Sequence, residues 1–217
     1  MKRTVILLIF LLFSCGGKDI VKENEALHKQ IGELKKMLKE ARKEQNKFHF
    51  LAKQMKNIKA TIVTNYGDIK IEFFPEKAPL HCFNFITRAE SGFYDNTQFH
   101  RVIPNFMIQG GDPITRTDNV AAYGTGGPIV HIPHEFNDIS HGPGILSMAR
   151  TSDINDGAGS QFFIMHGSSP QLDGQYTVFG RVSDGMDVVD KIAAVKRTEN
   201  DRPVEPVVVK TIKVYRQ

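Results

Sequence analysis

The chain has 217 residues, 41% of them hydrophobic and 24% charged, with a mean hydropathy of −0.27. This is the make-up of a soluble globular protein with length for one ordinary domain plus appendages. The formal net charge of +4 falls to +2 if Lys2 and Arg3 leave with a signal segment, which excludes the strong basic excess of a nucleic-acid binder.

The N-terminus departs from that average. Met1-Lys2-Arg3 is a short positive region, Val5 to Phe13 is an almost unbroken apolar run, and Ser14-Cys15-Gly16-Gly17 follows with small residues. That is the layout of an export signal, residues 1–14, and the run is short for a span, which needs about 20 residues. Leu12-Phe13-Ser14-Cys15 resembles the lipobox of bacterial lipoproteins, with cleavage before Cys15 and lipids added to it, although Phe13 is bulkier than the usual occupant. The resemblance implies a lipid anchor at Cys15, an anchor linker over 15–19, and a place in the bacterial cell envelope, facing the periplasm or the exterior. An ordinary signal peptide cut nearby is the alternative. With Cys15 acylated, Cys82 is the one remaining thiol, so no internal disulfide forms, and its apolar surroundings read as a small buried hydrophobe.

Residues 20–57 read as a helical stalk. From Ile20 to Met55 there is no proline, one glycine (Gly32), and mostly strong helix formers. Ile20, Leu27, Leu34, Ala41, Phe48 and Met55 recur every seven residues, and Asn24, Ile31, Leu38, Gln45 and Ala52 follow the first five by four, which is heptad spacing. Three readings stay open: a parallel coiled coil forming a homodimer through 20–56 with Asn24 setting register; a solvated spacer or a helix folded back on the body; or a basic helix lying on an anionic surface, where each Lys or Arg is worth about 1 kcal/mol. From Lys18 to Lys59 there are 12 Lys/Arg against 6 Asp/Glu, and from Ala60 onward 14 against 18. A basic stalk precedes a mildly acidic body.

Near Asn57 the period changes to two, and the body is assigned to 58–217. Ala60 to Thr64 and Asp68 to Phe74 flank the turn signal Asn65-Tyr66-Gly67 and read as a hairpin with Ile69, Ile71 and Phe73 inward. Ala78 to Ser91 reads as a helix with Cys82, Phe83, Phe85 and Ile86 inside. Gln98 to Ile103 and Phe106 to Asp112 read as two strands joined at Pro104-Asn105. Asp112 to Ile129 reads as loop. Gly144 to Ala149, Gly159 to Met165, Thr177 to Val182 and Val207 to Val214 supply further strands. Arg150 to Ala158 is a polar loop, and a helix from Met186 to about Val195 is capped by Ser183 or Asp184. Many short strands and two separated helices favour an antiparallel barrel or sandwich.

Arg101 stands out among Phe99, Val102, Ile103, Phe106, Met107 and Ile108. Strict alternation puts it on one face with Phe99 and Ile103, and His100 with Val102 on the other. A guanidinium there has either a structural carboxylate partner or a cleft in which a ligand uses its donors.

Phe99-His100-Arg101-Val102-Ile103-Pro104, Phe106 to Asp112, Gly142 to Ala149, Gly159 to Ile164 and Leu172-Asp173-Gly174 closely resemble, in order, the motifs of the cyclophilin peptidyl-prolyl isomerases. The resemblance covers roughly Ala60 to Tyr215. It implies a mainly β fold, a closed eight-stranded antiparallel barrel capped by two helices, here preceded by the long N-terminal helix. It implies proline isomerisation (rotamase activity) in protein folding, with no cofactor and no metal, on proline-containing peptides and unfolded proteins. Arg101 would be the catalytic cation; Phe106, Met107, Phe163 and Leu172 the pocket for the proline ring; Gln109 and Gln161 the holders of the peptide backbone; Ala149 and the loop after it the neighbouring groove. Two positions depart from the family: its frequent tryptophan is Gln171, which puts cyclosporin sensitivity in question, and a histidine at the substrate side is Tyr176. The loop Arg150 to Ala158 is slightly longer than in compact members.

Other signals are set aside. His131-Ile132-Pro133-His134-Glu135, with His141 nearby, lacks the helical His-Glu-x-x-His spacing. Gly124 to Gly127 lacks the lysine of a phosphate loop and reads as a turn close to the groove. Ser147 and Ser160 lack a Gly-x-Ser-x-Gly context, and His100 reads as a hydrogen-bonded barrel residue. The alternative to an enzyme is a module that binds proline peptides without turnover on a membrane-tethered stalk.

Overall fold

The computed structural model describes residues 2–216, with side chains described for Lys22 and from Glu25 onward. The side chains of the signal segment and of Cys15 lie outside the described residues. Helix α1 runs over Lys2–Met55, and by its contacts the chain divides into residues 1–47 and 48–217. The last turns of α1 belong to the second unit: Ala52 and Met55 are buried and Leu51 packs on the core. Among the described residues no helix is long and apolar enough to cross a membrane.

The body is one curled antiparallel sheet with two helices. Strands β1 (Ile58–Thr64) and β2 (Asp68–Phe73) form the expected hairpin, with Gly67 at φ 134° accepting from Thr64 N at 3.0 Å. Helix α2 (Pro79–Glu90) starts on a proline, suited to the first turn because its missing N–H is an orphan there anyway. It buries Cys82, Phe85, Ile86 and Ala89, one 3.6-residue stripe. Phe83 was expected inside; one residue off that stripe, it is exposed. The Phe85 ring sits at 5.1 to 5.7 Å from Tyr94, Phe162, Phe179 and Phe73, the centre of the main core.

The remaining strands are β3 (Thr97–Gln98), β4 (Arg101–Ile103), β5 (Met107–Gly110), β6 (Ile145–Arg150), β7 (Ala158–Met165), β8 (Thr177–Asp184) and β9 (Val208–Arg216). Helix α3 (Met186–Ala193) starts at Gly185, φ 95°, rather than on a capping side chain of Ser183 or Asp184. The spatial order is β3-β9-β1-β2-β8-β6-β7-β5-β4, nine strands in an open ladder rather than eight in a closed one. The extra strand has a local cause: the segment expected as one strand over 98–103 changes partner midway. Thr97 and Gln98 pair with β9, while Arg101 to Ile103 pair with β5. Between them Phe99 N donates to Val207 O and His100 N to Gln109 O, and an isolated bridge joins Gln98 to Asp112.

That change of partner corrects the alternation as well. Phe99 is buried in the main core with Val102, not on the face of Arg101.

Candidate functional site

The β4–β5 hairpin gives the site its frame. Its turn carries Asn105 at φ 61°, a left-handed conformation that asparagine tolerates. It is closed by Phe106 N donating to Ile103 O at 3.1 Å and by Asn105 N donating to His166 Nδ1 at 2.8 Å. Register then decides which side chains meet. Arg101 lies opposite Gln109, Gln109 opposite Phe163, and Phe163 opposite Ser147, a single row across β4, β5, β7 and β6. Val102, Ile108, Ile164 and Leu146 form the neighbouring row, and alternation turns them to the other face, into the main core.

A second, smaller apolar cluster lies apart from that core. Met107, Phe163 and Met165 are buried in it, with Phe106, Leu172, Ala149, Tyr176, Ile103 and Ile145 packed around them. All six apolar and aromatic residues expected at the substrate side are therefore together. Arg101 is exposed, and its side chain has no hydrogen bond or ion pair among the described residues. Of the two readings left open for it, the structural carboxylate partner is the one that fails.

Gln109 Nε2 donates to Gln161 Oε1 at 3.0 Å, and Gln161 Nε2 donates to the carbonyls of Gly124 and Gly126 at 2.8 and 2.7 Å. Gln161 thus holds the glycine-rich loop, while the Gln109 side-chain oxygen Oε1 stays without a partner among the described residues. The loop is held from below by Asp112, fully buried, whose carboxylate accepts from Ile114 N at 2.7 Å, Gly124 N at 2.5 Å and Gly126 N at 3.3 Å. Gly126 approaches that carboxylate so closely that any Cβ would collide with it. Between Gln109, Gln161, Ala149 and Gly124 to Pro128 opens a cleft of about 510 Å³. The sequence placed Asp112 at the start of a loop but did not show the part its carboxylate plays in holding that loop.

A polar chain that runs from the surface at Ser140 and Asp173 to the buried His141 and Ser147 backs the apolar cluster. Asp173 Oδ1 accepts from His141 N and lies 2.8 Å from His141 Nδ1, Ser140 Oγ donates to Asp173 Oδ2 at 2.6 Å, and His141 Nε2 is 3.1 Å from Ser147 Oγ. The hydrogen bonds from Ser140 and His141 lower the Asp173 carboxyl to about 2. Although Ser147, His141 and Asp173 line up like a hydrolase triad, Ser147 is fully buried and donates to Thr177 O at 2.9 Å, so its oxygen faces no substrate. The chain instead fixes the turn after Leu172, and the His141 ring stacks 6.1 Å from Phe163. Tyr176 meets Phe163 edge-on at 5.6 Å, and the Arg150 guanidinium lies 4.7 Å over the Tyr176 ring while donating from Nε to Gln175 O at 3.0 Å. Arg150, at the mouth of the cleft, was not singled out by its sequence context.

Of the histidines set aside as metal candidates, His131 and His141 are hydrogen-bonded elsewhere, and His134 stacks on Phe136 at 4.7 Å with its Nε2 unpartnered. His131 Nδ1 bonds the Asp156 carbonyl at 2.8 Å, and the Glu135 carboxylate accepts from Leu80 N, His81 N and His81 Nδ1 at the start of α2. Among the described residues no three His, Cys, Asp or Glu are grouped to hold a metal. His100 is buried with Nδ1 unpartnered, and burial lowers its pKa against the raising pull of Asp112 and of a backbone hydrogen bond at Gln98.

Three comparisons bear on this geometry. The family model described as "Cyclophilin type peptidyl-prolyl cis-trans isomerase/CLD" matches residues 59–214. Peptidyl-prolyl cis-trans isomerase cypE of Dictyostelium discoideum is 45% identical over 153 residues, covering 68% of this chain and 91% of that protein. Peptidyl-prolyl cis-trans isomerase-like 2 of Rhizopus delemar is 43% identical over 162 residues, 72% of this chain but 28% of the relative's length. Among solved structures, the cyclophilin-type isomerase of Cryptosporidium parvum, crystallised in the presence of the dipeptide Ala-Pro, is similar with a TM-score of 0.67 and 35% identity, covering 73% of this chain and 99% of that one.

Proposed function

The chain belongs to the cyclophilin-type peptidyl-prolyl cis-trans isomerase family, and on that premise we propose that the body isomerises X-Pro bonds in peptides and unfolded proteins, with Arg101 as the catalytic cation. The observation that carries the reading is an unpaired guanidinium in register with Gln109 and Phe163, at the edge of a buried apolar cluster.

Rotation about the bond must break amide resonance against a barrier of about 18–20 kcal/mol, and uncatalysed it takes tens to hundreds of seconds. A turnover of order 10² to 10³ per second asks the site for about 6 to 7 kcal/mol. A donor aimed at the prolyl nitrogen competes for the lone pair that stiffens the bond, and an apolar surround strengthens that interaction. Arginine suits the role because it stays charged and holds its donors in a plane. Phe106, Met107, Phe163 and Leu172 would take the proline ring, with Tyr176 behind Phe163 and Ala149 at the start of the cleft. Gln109 would hold the peptide backbone with its free side-chain oxygen Oε1, and Gln161 would act through the loop it holds. The chemistry needs no cofactor.

The test is exchange between cis and trans forms of a proline-containing peptide, followed by NMR with the full chain added. Catalysed exchange at sub-stoichiometric protein supports the enzyme; binding without faster exchange would make the body a peptide-binding module.

For location, we propose acylation of Cys15 and attachment to a bacterial envelope membrane, supported by the Leu12-Phe13-Ser14-Cys15 motif after the apolar run. Metabolic labelling with a radioactive fatty acid should mark the chain and spare Cys15→Ser; equal labelling of both would refute it.

A further inference from the structure

Every described residue of α1 from Glu25 to Phe50 is exposed, including Leu27, Ile31, Leu34 and Leu38 at 45 to 63%. A helix of this length draws most of its stability from burying an apolar stripe. Among the described residues the stripe is buried at its C-terminal end, where Ala52 lies under cover and Met55 enters the body core. The four exposed residues sit on the same seven-residue repeat as those two.

We propose that residues 24–45 pair with the same segment of a second copy of this chain as a parallel, two-stranded coiled coil. With Ile31 and Leu38 at a and Leu27 and Leu34 at d, the seam carries the β-branched-then-leucine order at its centre that favours two strands, and Asn24 at a sets register. Gly32 falls at an outward b position and interrupts nothing. The flanking columns decide the direction. Position e holds Lys35, Arg42 and His49, while g holds Gln30, Met37 and Glu44. A parallel pair sets g of one helix beside the e residue five places on in the other, so Gln30 meets Lys35, Met37 meets Arg42 and Glu44 meets His49, and no two lysine or arginine side chains face each other. An antiparallel pair would set Lys35 and Arg42 against the same basic column. Lys22, Lys29, Lys36 and Lys43 occupy the outermost f column, opposite the seam, so a helix laid on an anionic surface by those lysines would leave its leucines in water.

The proposal is independent of the isomerase reading and is tested without it. Full chain carrying Cys15→Ser, which leaves the buried Cys82 as the one thiol, should sediment as a dimer at micromolar concentration. Leu27→Lys/Leu34→Lys in that background should sediment as a monomer while keeping the peptide-exchange rate per chain and a native thermal transition, which reports an intact body. Under mild oxidation Ala41→Cys, at d, should yield a disulfide-linked dimer, and Lys43→Cys, at f, at most a tenth as much. A monomeric parent, a trimer or larger species, a dimeric double-lysine variant, or equal cross-linking at 41 and 43 would each overturn it. A monomer that floats with anionic vesicles would give the helix to a membrane surface instead.

Discussion

Replacing Arg101 with alanine separates chemistry from folding, because the side chain makes no hydrogen bond or ion pair among the described residues and is exposed on β4. Loss of one preorganised donor to developing charge costs about 10² to 10³ in rate, or about 2.7–4 kcal/mol. That is roughly half of the 6 to 7 kcal/mol asked of the site, the rest falling to the apolar pocket and the backbone contacts. Stability should scarcely move: a surface substitution of this kind lies within about 0.5 kcal/mol, which for a domain of this size is a Tm shift of about 1–2 °C. Arg101→Lys keeps the charge without the planar fork and should fall between wild type and alanine. The assay is kcat/KM for cis-to-trans exchange beside Tm by calorimetry on the same samples. An alanine variant retaining more than about a tenth of wild-type kcat/KM would refute the donor role, and a Tm fall beyond about 5 °C would mean that the guanidinium is structural after all.

Gly126→Ala should push the loop off Asp112 and leave a buried carboxylate short of donors, a cost of about 1–3 kcal/mol; the expected result is a lower Tm with a raised KM, and an unchanged pair of values would contradict the part assigned to that carboxylate. Arg150→Ala should free the Tyr176 ring at the cleft mouth and raise KM while leaving kcat within about threefold, checked by full kinetic curves on peptides of different length. His100 has its pKa lowered by burial, so the unfolded chain takes up a proton before the folded one does. Stability linked to it is complete above the unfolded value near 6.5 and is lost as pH falls from there toward the lower folded value. Tm measured from pH 7.5 to 5 should decline, and His100→Asn should flatten that slope; parallel slopes would exclude His100 as the cause.

How much of this was legible beforehand follows from the range of each interaction. The change from period 3.6 to period two near Asn57, the hairpin at Asn65-Tyr66-Gly67, and the strands on either side of Pro104-Asn105 are local, and all are found close to where the sequence puts them. The apolar members of the site were legible as well, because their motifs carry both residue type and spacing, and Phe106, Met107, Phe163 and Leu172 do meet in one cluster.

Tertiary structure decided what depends on partners distant in the chain. Phe99 turns inward because β3 follows β9 while β4 follows β5, a competition between strands a hundred residues apart that no local alternation records. Asp112 reaches the amides of a loop that returns to it more than ten residues later, and His141 links Ser147 to Asp173 behind Phe163, so their polar groups had no visible partner in sequence. Arg101 is the clearest division. Its presence among apolar neighbours marks a guanidinium in need of a partner, but only the register of three strands, with no carboxylate paired to it among the described residues, leaves it facing a site.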